Sequence, residues 1–225
     1  MTSIDGGAPL EKLPIVILIS GRGSNMLAIA ERAASGALPV EVRAVISDKA
    51  EAAGLASAAA LNIPTRSLSP REFADRASYD QALAALLESF QPQLVVLAGF
   101  MRILSPGFIA TFADRILNIH PSLLPLYRGL HTHRRALEAR DSLHGCSVHF
   151  VTEELDGGPL VIQAQVKVRP DDSESSLSAR VQQQEHSIYS QAIDWFARGR
   201  LQLREQRAWL DDRPLEAPVI HAASD

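Results

Sequence analysis

The feature that most constrains the fold is a pair of short apolar runs, at residues 14–20 and 94–98. Both are rich in Val, Ile and Leu and lack the polar alternation of a strand with one solvated face. Strands of this composition are typically buried on both faces, as in a parallel sheet. Other segments alternate between helix-forming and strand-like composition, at residues 26–34, 40–46, 51–61, 64–68 and 78–90. The order predicts β-α-β-α units and a mostly parallel sheet.

The second half of the chain predicts antiparallel pairing, because residues 144–152 and 160–168 are strand-like and joined by a short loop. The expected fold class is therefore α/β: a Rossmann-like, open, twisted and mostly parallel sheet, with helices on both faces and antiparallel strands in the C-terminal half. A chain of 225 residues fits one domain. Its halves are expected at about 13–112 and 113–210, with loose ends at residues 1–11 and after Asp211.

Charge and composition exclude several classes of protein. The formal net charge is −4, which gives no general basic face for nucleic acid. The single cysteine, Cys146, forbids an internal disulfide and fits a reducing, cytoplasmic compartment. No run of 18 apolar residues and no signal-peptide pattern appear, so no membrane association is expected.

The segment at residues 115–125 carries the most chemistry. It predicts a short strand in which Asn118 and His120, two residues apart, face the same side. Pro121 keeps His120 extended. An amide can donate to a developing oxyanion, and an imidazole can transfer a proton near neutral pH. Asp156, in a later Asp-Gly-Gly loop, is expected to orient the imidazole and favour its protonated form.

A glycine turn follows the first predicted strand, at residues 21–25. Strand, glycine turn and helix together present backbone N–H groups to a phosphate, and Ser24 and Asn25 add side-chain donors that can also cap the helix. A tight turn without a ligand is the plain alternative. A dinucleotide site with Asp48 as ribose partner is a third, although Met26 stands where its last glycine belongs.

Glu185 lies on the core-facing line of a predicted helix that ends near residue 197. A buried carboxylate needs a partner. Either an arginine supplies one, or the residue lies at the edge of the apolar stripe, or it binds a polar group of a substrate.

Two motifs, Asn-x-His-Pro-Ser-Leu-Leu-Pro at residues 118–125 and Leu-Asp-Gly-Gly-Pro at 155–159, resemble the folate-dependent formyltransferases. Within that family the chain resembles the branch that formylates phosphoribosylglycinamide in purine synthesis, from about residue 14 to 210. The resemblance implies catalysis by Asn118, His120 and Asp156, with 10-formyltetrahydrofolate as co-substrate and no metal. It implies a phosphate and ribose site made of Gly23, Ser24, Asn25, Arg76 and Glu185. It implies a folate site made of Met101, Arg102, Ile103, Leu104, Thr152, Glu153, Glu154 and Leu155.

Some residues depart from that branch or invite other hypotheses. Arg128 is more typical of methionyl-tRNA formyltransferases, and formyltetrahydrofolate hydrolase and a non-catalytic binding module are further alternatives. His131 and His133 invite a metal site, but residues two apart on a helix do not share a face and no further ligand is evident. Only small-molecule partners are expected, and the chain is expected to be a monomer or a weak homodimer.

Overall fold

The computed structural model describes residues 11–221, so most of the segment expected to be a loose N-terminus lies outside the described residues. The strands are β1 (Leu13–Ile19), β2 (Val40–Ser47), β3 (Thr65–Ser67), β4 (Leu94–Leu97), β5 (Ile116–His120), β6 (Leu143–Phe150), β7 (Leu160–Lys167), β8 (Leu201–Arg204), β9 (Arg207–Leu210), β10 (Arg213–Pro214) and β11 (Val219–His221). The α-helices are α1 (Ser24–Ala34), α2 (Ala53–Ala60), α3 (Arg76–Glu88), α4 (Pro106–Thr111), α5 (Thr132–Ala139) and α6 (Glu174–Ala197).

The main sheet has eight strands in the order β11-β7-β6-β5-β4-β1-β2-β3. Strands β1 to β5 pair in parallel, whereas β6 pairs antiparallel with both β5 and β7. The predicted fold class is confirmed. The chain order reverses between β4 and β1, and ligands of open α/β sheets bind outside the carboxyl ends of the strands at such a point.

Two apolar cores cover the two faces of this sheet. Ile15 and Ile17 of β1 face one core together with α1 and α6, whereas Val16 and Leu18 face the other together with α3. Successive residues of a strand point to opposite faces. The continuous apolar run at residues 14–20 is therefore explained by burial on both faces.

The C-terminal part of the chain corrects one expectation. Strands β8, β9 and β10 form a separate antiparallel sheet, and β11 adds to the edge of the main sheet in parallel with β7. Residues 213–214 and 219–221 are thus paired, and the expectation of a loose tail after Asp211 is wrong for them. The reason is backbone pairing between segments far apart in the chain. Strands β10 and β11 are too short to show an alternation of apolar and polar residues that would predict them.

Tyr189 of α6 ties the helix to the middle of the sheet. Its fully buried hydroxyl lies 3.0 Å from the carbonyl oxygen of Leu97 on β4 and 2.8 Å from that of Leu117 on β5. Burial raises the pKa of this phenol well above its ordinary value, so the group is a neutral donor. The bond joins α6 to the two strands whose ends form the functional site.

We expect Tyr189→Phe to lower the free energy of unfolding by about 1 to 3 kcal/mol, because the one hydroxyl proton that the two buried carbonyls share is lost. The measurement is urea unfolding followed by circular dichroism. Ser190→Ala is the matched control, since Ser190 bonds only to the carbonyl of His186 in its own helix. Equal unfolding midpoints for Tyr189→Phe and the wild type would contradict this role.

Candidate active site

Two adjoining cavities open at the carboxyl ends of β1, β4 and β5. The first has a volume of about 450 Å³ and lies between residues 99–104 and 152–156. The second has a volume of about 290 Å³ and lies over the glycine turn and the start of α1. Residues that line both cavities mark their junction: Gly99, Met101, Ile119, Pro121 and His133.

Asn118, His120 and Asp156 come together on the wall of the first cavity. Nδ1 of His120 lies 3.4 Å from Oδ2 of Asp156, and the backbone N–H of Gly129 donates to the same oxygen at 2.9 Å. Nε2 of His120 lies 3.0 Å from the carbonyl oxygen of Tyr127. Both ring nitrogens therefore face acceptors, and only a doubly protonated ring donates to both.

His149 is a member of the site that sequence reasoning missed. It faces Asn118 across the β5–β6 pair, with Nε2 3.1 Å from the Asn118 amide nitrogen and 3.8 Å from Oδ1 of Asp156. Burial lowers the pKa of His149 to about 4, so the ring is neutral. Its Nδ1–H donates to the carbonyl of Phe150 at 2.8 Å, which leaves Nε2 to accept from Asn118. This bond fixes the orientation of the Asn118 amide.

The second cavity contains four of the five residues expected to bind phosphate and ribose. Gly23 has a φ of 72°, and a Cβ there would lie 3.1 Å from the Cα of Gly54. Ser24 and Asn25 do not cap α1 with their side chains, contrary to expectation. Instead Asn25 donates to Oε2 of Glu185 at 2.8 Å, and Ser24 accepts from Gln182 at 2.9 Å.

Glu185 is held by an amide and not by an arginine. Its carboxyl is buried against Asn25, and burial raises its pKa while the bond from Asn25 opposes the rise. The side chain lines the second cavity together with Gln182, which sequence reasoning missed. Gln182 precedes Glu185 by almost one turn of α6, so helical spacing was the available signal.

Arg76 is the expected phosphate ligand that the structure does not bring to the cavity. It begins α3, pairs with Asp80 at 3.8 Å, and is not among the residues that line the second cavity. Its side chain is about half exposed, at 48%. Among the described residues, the glycine turn is held by α6 without contribution from Arg76.

All eight expected folate-binding residues line the first cavity. Along residues 101–104 the side chains alternate in exposure. Met101 and Ile103 are 66% and 54% exposed, whereas Leu104 is buried and the Arg102 guanidinium stacks 4.7 Å above the ring of Tyr79. Exposed apolar side chains on a concave wall suit a flat aromatic ligand.

His131 and His133 are the two histidines that the sequence offers for a metal site. The described residues contain no group of three or more His, Cys, Asp and Glu side chains placed to hold a metal ion. His133 instead contacts His144, with Nδ1 and Nε2 3.1 Å apart. Cys146 is buried, and burial raises the pKa of its thiol well above the ordinary value, which disfavours a nucleophilic role. Arg128 forms an ion pair with Glu154 on the loop that carries Asp156.

Comparison with known proteins agrees with this arrangement. The formyl transferase family model matches residues 13–193. The chain is 54% identical over 211 residues to the phosphoribosylglycinamide formyltransferase of Escherichia coli (strain K12), covering 94% of this chain and 99% of that one. The solved structure of the phosphoribosylglycinamide formyltransferase from Coxiella burnetii superposes with a TM-score of 0.90 at 45% identity, covering 94% of this chain and all of the other.

A formyltetrahydrofolate deformylase structure from Pseudomonas syringae is more distant. It superposes with a TM-score of 0.82 at 25% identity, and the match covers 88% of this chain but only 66% of that one. The chain belongs to the formyl transferase family. Within the family, its resemblance to the phosphoribosylglycinamide formyltransferases is confirmed. In residues 11–221, no helix is both long and apolar enough to cross a membrane.

The buried histidines predict a loss of stability in acid. His149 and His144 each have a pKa near 4 in the folded protein, below the ordinary value of 6.5, because burial disfavours the charged ring. The unfolded chain therefore binds more protons between these values. The contribution of the two rings to the free energy of unfolding is fully present above pH 6.5 and decreases as the pH falls towards 4.

We expect His149→Gln to flatten this decrease, because one of the two rings with the largest pKa shifts no longer titrates. Glu185, with its raised pKa, acts in the opposite sense in both proteins and so does not affect the comparison. The measurement is the free energy of unfolding by urea at pH 8, 6.5, 5.5 and 4.5. Parallel curves for the variant and the wild type would show that His149 titrates normally in the folded state.

Proposed function

We propose that this chain transfers the formyl group of 10-formyltetrahydrofolate to the amine of N1-(5-phospho-D-ribosyl)glycinamide in purine synthesis. The products are the N-formyl compound and tetrahydrofolate. The observation that carries the proposal is the position of Asn118, His120 and Asp156 on the first cavity, next to its junction with the second. Relatives with this activity are 54% and 46% identical to the chain.

The second cavity suits the phosphoribosyl part of the acceptor. Backbone N–H groups and the positive end of α1 favour a phosphate over Gly23, Ser24 and Asn25. Glu185 lines the same cavity, where its carboxylate can accept from ribose hydroxyls. The glycinamide amine would then point through the junction towards the first cavity.

The first cavity suits the folate. Met101, Ile103 and Leu155 offer apolar surface to a flat ring, while polar side chains such as those of Thr152 and Glu153 line the same cavity. The co-substrate supplies an activated formyl group. Residues 13–112 would thus form the half of one domain that binds the phosphate and ribonucleotide, and residues 113–210 the half that carries catalysis and the folate cleft. Residues 101–104, at the end of the first half, complete the folate cavity.

Asn118 is positioned to stabilise the oxygen of the formyl carbon during attack. One amide hydrogen is held by His149, and the other is available to an oxyanion in the cavity. A preorganised donor of this kind typically contributes about 3 kcal/mol to lowering a barrier. Because neutral His149 accepts at Nε2, the NH2 group of Asn118 and not its amide oxygen faces His149.

His120 is positioned to donate a proton to the leaving nitrogen of the folate. Asp156 faces Nδ1 and stabilises the protonated ring, while Nε2 exchanges its bond to the Tyr127 carbonyl for one to the substrate. Positioned acid catalysis contributes about 10² to 10⁴-fold to the rate. No residue of the chain becomes formylated in this scheme.

The alternatives share the same chemistry but have weaker support. Arg128, the residue that favoured methionyl-tRNA as acceptor, forms an ion pair with Glu154 on the loop that carries Asp156. We further propose that the chain works in the cytoplasm with small-molecule substrates only, as a monomer or a weak homodimer.

We expect Asp156→Asn to reduce kcat by about 10²-fold or more while KM changes little, because the amide keeps the bond from Gly129 but loses the charge beside His120. The measurement is steady-state kinetics with phosphoribosylglycinamide and a 10-formyl folate analogue. Glu138→Gln, exposed on α5 and outside both cavities, is the control for loss of charge alone. Near-normal turnover in Asp156→Asn would refute the role of Asp156.

The choice of acceptor is tested by offering phosphoribosylglycinamide, methionyl-tRNA or water in parallel to the wild-type protein. We expect spectrophotometric deformylation only with phosphoribosylglycinamide, because the glycine turn and Glu185 that line the second cavity suit a phosphate and a ribose. Turnover with methionyl-tRNA alone, or equal turnover without acceptor, would identify one of the alternative enzymes instead.

A further inference from the structure

His133 lies where the two cavities meet, and the acid–base scheme above leaves it unused. It is the second residue of α5, it is half-buried, and it lines both cavities. We propose that Nε2 of His133 is the base that takes the proton released by the attacking amine. This inference rests on the proposed function and assigns one further proton transfer within it.

The hydrogen bonds of His144 determine which nitrogen of His133 is free. The backbone of Pro121, which has no N–H and can only accept, favours a proton on His144. Nε2 of His144 contacts Nδ1 of His133 at 3.1 Å, so we assign the proton that Pro121 favours to Nδ1 of His144. In a neutral His144 the proton is then on Nδ1, and Nε2 accepts from His133.

The hydrogen bond between His133 and His144 also determines which nitrogen of His133 carries a lone pair. Because Nδ1 of His133 donates to His144, a neutral His133 carries no proton on Nε2. Burial lowers the pKa of both rings, that of His144 to about 4. The pair is therefore neutral at physiological pH, and the His133 ring, which lines both cavities, keeps one unprotonated nitrogen.

Other groups near the junction are less suited to accept this proton. Both nitrogens of His120 already face acceptors, and Asp156 accepts from Gly129 while facing His120. Glu185 is bonded to Asn25 at the ribose end of the second cavity. Among the described residues that line both cavities, His133 alone carries a titratable side chain.

Charged and titratable groups from each neighbouring element act on His133. Glu174 of α6 raises its pKa, whereas His120 of β5 lowers it, and burial is the largest effect. His144 of β6 provides the hydrogen bond described above. Arg22 and Glu185 line the second cavity with it. The balance leaves His133 a weak base that is unprotonated above its lowered pKa.

The step balances as follows. The amine nitrogen of phosphoribosylglycinamide forms a bond to the formyl carbon and releases one proton to Nε2 of His133. The bond between the formyl carbon and N10 of the folate breaks, and its electron pair stays on N10, which receives a proton from His120. Solvent then removes the proton from His133 and restores the one on His120.

The test is His133→Asn, because the Asn amide nitrogen occupies the place of Nδ1 and keeps a donor to His144 while the basic nitrogen is lost. We expect kcat to fall by about 10²-fold, with the Kd of phosphoribosylglycinamide changed less than about twofold. In the pH profile of kcat at saturating substrate, the part of the acid limb that comes from protonation of His133 should be lost. In His133→Ala, added imidazole should restore part of the rate. Glu138→Gln, exposed on the same helix, is the control.

The possible outcomes separate this role from the proposed function. Wild-type turnover together with a fully active His133→Asn would show that the ring only packs against His144, and would overturn the role alone. A reduced rate with an unchanged acid limb and no response of His133→Ala to imidazole would do the same. Absence of wild-type turnover with phosphoribosylglycinamide would overturn the proposed function and this role with it.

Discussion

The antiparallel pairing of β5 with β6 is the constraint on which the site depends. Its register sets His149 opposite Asn118 and Ser147 opposite His120. The chain leaves β6 at Phe150 and turns back within ten residues into β7, and that short loop carries Asp156 to His120. A shift of one residue would turn every side chain of the strand to the other face of the sheet. This one register therefore fixes the positions of Asn118, His120 and Asp156 relative to one another.

A buried polar network supports the segment that follows β5. Ser147 donates to the carbonyl of Ser122 at 2.6 Å and accepts from the backbone N–H of Leu124 at 3.0 Å, while Gln163 of β7 donates to the carbonyl of Leu124 at 2.8 Å. Buried polar groups without partners are costly, so this network specifies one path for the loop. The loop in turn places the carbonyl of Tyr127 at Nε2 of His120.

Two buried, neutral histidines orient the polar groups around the cavities. In both His149 and His144 burial favours the uncharged ring, and a bond to a backbone acceptor decides which nitrogen carries the proton. Each ring thereby presents a fixed acceptor to its neighbour, Asn118 in one case and His133 in the other. The same low polarity that excludes the charged ring thus orients the neighbouring groups.

Much of the fold and part of the site were predictable because their signals are local. Apolar runs announced β1 and β4, spacing placed Asn118 and His120 on one face, and the glycine turn announced the end of β1 at a cavity. The pairing of β11 with β7 and the contact of Asn25 with Glu185 were not predictable in this way. They join residues far apart in the chain, and neither the spacing of apolar residues nor a turn motif predicts such a contact.

The sequence by itself determined which chemical groups are present and which faces of each element are buried. Only the tertiary structure decided which groups meet, that His149 and not solvent holds the Asn118 amide, and that Arg76 pairs with Asp80. The physical reason is that residue type and spacing act over a few residues, through sterics and burial. Hydrogen-bond direction and protonation depend on distances between separate strands and helices, and those distances exist only once the sheet has formed.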